Sequence, residues 1–233
     1  MANVKAGKGG EPFYQRMAIV LTVIVIAGFG SAQITGTAFG SVANPLIMVH
    51  GAVFLGWYVL LIVQPRLIAS GNWALHKRLG MSSLGLAALI VALGYWITRE
   101  AYARPGFSIA GLDAAGSAIF PVTDIINFVI IYALAFLHRK NPQAHKRLML
   151  LAGLVMLDPA AARLVLSFGG PPPAIMAVHL ALYAAFFVHD WKMRKRPHWA
   201  TVTAFSLFVL ALIAKFTIAG GPWWAGVTAR LFG

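Results

Sequence analysis

Residues 119–138 read IFPVTDIINFVIIYALAFLH, a mostly apolar run of 20 residues with one acid, Asp124, near its start. A helix needs about 20 such residues to cross the hydrocarbon core of a bilayer. Six further runs of the same kind surround it, at residues 16–38, 46–67, 77–98, 146–168, 173–191 and 198–219. The breaks between them carry Pro, Gly, Asn or charge: Asn44-Pro45, Ser70-Gly71-Asn72, Arg104-Pro105-Gly106, Asn141-Pro142, Gly169 to Pro173, and Arg196-Pro197. The sequence therefore predicts an all-α polytopic membrane bundle of seven transmembrane helices over residues 16–219. A mobile cytoplasmic head, residues 1–15, precedes it, and an interfacial tail, residues 220–233, follows it. The first run is longer than the 7–15 apolar residues of a signal peptide, so it is read as a retained span.

Composition agrees. The chain is 60% apolar and 11% charged, with a mean hydropathy of +0.78. A soluble domain is about 45–50% apolar and about 25% charged. There is no cysteine, which excludes disulfide scaffolds, cysteine-held zinc and iron–sulfur clusters.

The net charge of +13 would suggest nucleic acid in a soluble protein. Its distribution gives another reading. With the N-terminus inside, the inner segments hold Lys5, Lys8, Arg16, Arg66, Lys77, Arg78, Arg139, Lys140, Lys146, Arg147, Lys192, Arg194, Lys195 and Arg196, against Arg99, Arg104 and Arg230 outside. This asymmetry follows the positive-inside rule and predicts N-in, C-out topology in a multi-pass protein of a bacterial inner membrane. The expected partner is the lipid bilayer, not nucleic acid.

The predicted orientation gives every intramembrane polar residue a depth. Gln33, His50, Asp124, Asn127, Asp158, Arg163, His179 and Lys215 come from six of the seven spans and share the outer third. The inner halves hold little beyond Gln64. Ionisable groups in hydrocarbon are costly, so these side chains are expected to converge inside the bundle. One outcome is a charge network of Asp124, Asn127, Asp158, Arg163, Lys215 and Gln33. The other is a ligand, cofactor or substrate site. Pro159, directly after Asp158, is expected to kink the fifth span beside its acid.

Two short stretches match: Leu75-His76-Lys77-Arg78-Leu79-Gly80 opens the third span, and Ala144-His145-Lys146-Arg147-Leu148-Met149 opens the fifth. From His50, the chain also runs through Trp57, Gln64-Pro65-Arg66 and Trp73-Ala-Leu-His76. This stretch of about 30 residues resembles membrane haem proteins of the cytochrome b561 type. The resemblance implies a helical bundle with two b haems, each held by a His pair, and electron transport across the membrane. It carries over to His50 and His76. The family places its ligands on four consecutive helices, whereas the fourth span here has only His138. Depth pairs His50 with His179 for the outer haem, and the matched motifs pair His76 with His145. A quinone or other membrane subunits would be the redox partners.

Two other chemistries stay open. His50, His179, Asp124 and Asp158 are a donor set for zinc, which takes nitrogen and oxygen ligands and activates water. Seven spans are similar to membrane hydrolases of the ceramidase and progestin/adiponectin-receptor type. Their last helix carries His-x-x-x-His, and the seventh span here has no histidine. The remaining class, with no cofactor, is a transporter, receptor or accessory subunit whose pocket binds an anion or protons. No soluble-enzyme motif, such as a phosphate-binding glycine loop, is present.

Overall fold

The computed structural model describes residues 12–36 and 45–233. Most of the expected head lies outside the described residues. Among the described residues ten helices follow one another: α1 (Pro12–Ile34), α2 (Pro45–Ala69), α3 (Trp73–Tyr102), α4 (Ala114–Ser117), α5 (Ile119–Leu137), α6 (Pro142–Val155), α7 (Asp158–Ser167), α8 (Pro173–Arg194), α9 (Trp199–Thr217) and α10 (Pro222–Phe232). There is no strand among the described residues.

Among the described residues six helical segments are long and apolar enough to cross a membrane, and seven if α6 and α7 form one span bent by 49°. Their outward faces stay apolar: Ile19, Val23 and Ile26 on α1, Met48, Val49 and Leu55 on α2, and Leu210 and Ile213 on α9 are all exposed. Helices apolar on every face need a surrounding that is itself apolar. This is the architecture of a multi-pass membrane protein.

The bend falls where Pro159 was expected to place it. Proline lacks an N–H and clashes with the carbonyl one turn back, so α6 ends at Val155 and α7 restarts at Asp158. The two matched motifs have a shared local cause. Asn72 caps α3 and Asn141 caps α6, each accepting from a backbone N–H of the first turn. His76 and His145 follow four residues later and donate their backbone N–H to the cap carbonyl.

Side-chain contacts fix the two ends of the bundle. Lys146 and Arg147, opening α6, lie over the ring of Tyr14 at the start of α1, and Phe13 stacks on His189 near the end of α8. The basic loops therefore gather at one end. At the other end α10 packs on α3 and α4, with Tyr95 donating to the Leu231 carbonyl and Trp224 to the Ala115 carbonyl. The expected tail is thus a short helix docked on the bundle.

α1 and α7 approach each other closely. A Cβ on Gly28 would land on the Ala160 carbonyl, which is backbone and cannot swing aside. Gly28→Val is expected to cost about 1–3 kcal/mol by overpacking, read as a lowered Tm in detergent. Gly30→Ala, where an added Cβ meets nothing, should leave Tm unchanged. Equal behaviour of the two variants would refute the close contact.

Candidate functional site

Four helices meet around one group of ionisable side chains. Asp124 sits in the second turn of α5, Asp158 opens α7, His179 lies in the second turn of α8, and Lys215 is near the end of α9. The break before α7 puts Asp158 at a helix N-terminus, where a carboxylate is favoured by the backbone dipoles. Lys215 Nζ bridges the two acids, 2.7 Å from Asp158 Oδ2 and 3.2 Å from Asp124 Oδ1. Its ammonium also sits 5.0 Å from the centre of the Phe120 ring. On the far side of Asp158, Oδ1 lies 3.3 Å from His179 Nε2. The His179 ring is buried and stacks on Phe208. Asp158 is the most exposed member, with 25% of its side chain accessible.

Both nitrogens of His179 face oxygens. Nδ1 is 3.0 Å from the Ile175 carbonyl, which can only accept, so Nδ1 carries a proton. Nε2 then faces Asp158 Oδ1. An ionised carboxylate also only accepts, so this contact is attractive only with a proton between the two atoms. The charge count agrees. With Lys215 and Asp124 both ionised, an Asp158–His179 pair sharing one extra proton makes the group neutral. Without that proton the group would carry −1 among apolar side chains, the costlier state.

The other expected members are placed elsewhere. Asn127 donates to the Leu207 carbonyl and ties α5 to α9. Arg163 donates to the Pro159 carbonyl, lies over the Phe29 ring, and is near enough to His50 for its charge to be felt there. His50 packs on Phe54, and its Nδ1 is buried without a protein partner. Gln33 is exposed. The expected network thus shrinks to Asp124, Asp158 and Lys215, with His179 added.

The zinc set and the outer haem pair do not match this arrangement. Among the described residues no group of three or more His, Asp or Glu is arranged to hold a metal. Lys215 already occupies the place between the acids that a cation would take. For an outer haem, His50 and His179 would each have to present a ring nitrogen to iron, but both nitrogens of His179 are engaged. At the basic end His76 and His145 are close enough for their charges to interact. His145 Nδ1 bonds to the Ala135 carbonyl, and Gln64 donates to the His76 carbonyl.

One ionic group was missed by reading the sequence. Arg147, counted there as a topology signal, is buried and pairs with Asp190 through Nε at 2.8 Å and a terminal nitrogen at 2.7 Å. Asp190 Oδ2 accepts from the His198 N–H and the Thr201 hydroxyl. The available signal was that Asp190 is the sole acid beside the basic run Lys192–Arg196.

Comparison of the chain with protein-family models, curated proteins and solved structures gave no match.

Proposed function

We propose that this is a seven-span protein of a bacterial inner membrane, N-terminus inside and C-terminus outside, that takes up and releases a proton at an outer-half site during proton-coupled transport. The orientation is supported by the charge asymmetry. The Asp124–Lys215–Asp158–His179 group lies toward the less basic end, which this orientation makes the outer one.

The observation that carries the reading is the His179 contact, where both ring nitrogens face acceptor oxygens, so that Nδ1 carries one proton and a second is needed between Nε2 and Asp158. Asp158 is partly exposed, which supplies a route for exchange. Loss of that proton sets the Nε2 lone pair against a carboxylate and leaves the group at −1. The strain is relieved by drawing Lys215 fully onto Asp158 or by parting α8 from α7. The break before α7 is a natural hinge for that movement. Proton binding and helix position are thereby coupled, as alternating access needs.

The test is proton release from protein in lipid nanodiscs, followed with an indicator dye. Across an alkaline pH step, wild type should release about one proton per chain more than His179→Gln. Equal release from the two proteins would refute the assignment.

A further inference from the structure

At the basic end, the start of α6, the end of α8 and the start of α9 enclose a cavity of about 560 Å³. Its wall is made by Asn141, Gln143 and Arg147 from one side and Met193, Arg194, His198 and Trp199 from the other. This cavity is remote from the Asp124–Lys215 group and plays no part in the proposed proton cycle.

Its chemistry is one-sided. The segments 139–147 and 190–199 carry eight Lys and Arg and a single acid, Asp190. That acid is fully buried and its oxygens are consumed by Arg147, the His198 N–H and Thr201. Arg147 is likewise spent, on Asp190 and on the carbonyl and side chain of Gln143. Among the described residues Arg194 has no carboxylate partner, so its charge is left for whatever occupies the cavity. His198 caps α9 by accepting the Ala200 N–H at Nδ1. Its proton therefore sits on Nε2, a second donor. Burial, with the charges of Arg147 and Arg194, holds the His198 imidazole down to about 4. The ring is neutral at physiological pH, and the cavity is a region of positive potential. The amide side chains of Asn141 and Gln143 are exposed at its edge.

Donors without a matching acceptor, in a positive recess, fit a tetrahedral oxyanion. The rim decides its source. Met193, Trp199 and the neighbouring Trp191 are exposed apolar groups at the end of the bundle. Aromatic side chains at that level sit in the headgroup region of a bilayer. A free phosphate gains nothing from them, whereas a lipid lays its chains against them. We propose that this cavity binds the phosphate headgroup of an anionic phospholipid. Basic recesses between spans on the cytoplasmic side are suited to such headgroups.

The probe is phosphatidylglycerol in phosphatidylcholine nanodiscs, with bound lipid counted per chain by native mass spectrometry and Tm followed in parallel. Wild type should retain phosphatidylglycerol selectively and melt higher as its fraction rises. Arg194→Gln should weaken retention about tenfold, the effect of one lost charge-assisted hydrogen bond. His198→Asn keeps an N-cap acceptor and removes the Nε2 donor, so it should also weaken retention in a folded protein. Arg196→Gln removes the same charge from the same turn without lining the cavity, and should retain lipid as wild type does. Equal loss in Arg194→Gln and Arg196→Gln would overturn the site in favour of diffuse attraction. Equal stabilisation by soluble glycerol phosphate would overturn the lipid as its ligand.

Discussion

Lys215→Met should destabilise the protein by about 3–5 kcal/mol, the cost of breaking a buried ion pair by removing one partner. Methionine matches the lysine stem in length, so packing against Phe120 is largely kept and the loss reports charge. Asp124 and Asp158 would then face each other across the gap Lys215 now fills, and the balance of +1 against two acids would be gone. The variant can recover only by binding protons, so its deficit should shrink as pH is lowered. Adding Asp124→Asn and Asp158→Asn to Lys215→Met removes the repulsion and should restore most of the stability, since a neutral hydrogen-bonded group costs less to bury than an unpaired charge. Unfolding in detergent, followed by circular dichroism, reads all three states. A single variant as stable as wild type would show that the acids do not depend on the lysine, and the charge count behind the proton site would fall with it.

What the sequence made legible here was depth. A helix rises about 1.5 Å per residue, so position within a span fixes height. Asp124, Asp158, His179 and Lys215 could therefore be placed in one band without knowing which helices touch. Azimuth was not legible. Spans that are apolar on every face carry no stripe to say which side turns inward, so His50, Asn127, Arg163 and Gln33 fell in the same band yet point elsewhere. Depth alone grouped His50 with His179 for the same reason. The break at Asp158–Pro159 was readable because proline acts on its own backbone, whatever its neighbours. The pairing of Arg147 was missed because a basic residue at a helix start normally marks topology alone. Only the return of α8 beside α6 turns it into half of a buried pair.

That pair sets the second large effect. Asp190→Ala should cost about 3–5 kcal/mol, because it strands a buried guanidinium. The Arg147 side chain is 1% exposed and that of Asp190 0%, so water cannot take over the lost bonds. The substitution also deprives the His198 N–H and the Thr201 hydroxyl of their acceptor, which loosens the turn between α8 and α9. Asp190→Asn should fall between: one carbonyl oxygen can still serve Arg147, while its NH2 is turned toward two groups that themselves donate. The pairwise term comes from a cycle with Arg147→Met. If the ion pair organises this end, Arg147→Met with Asp190→Ala should cost markedly less than the two single losses added together, since neither charge is then left alone. Strict additivity would show that the residues contribute separately. The opposite ends of the bundle would then differ in kind, with a coupled cluster around Lys215 and independent side chains around Arg147.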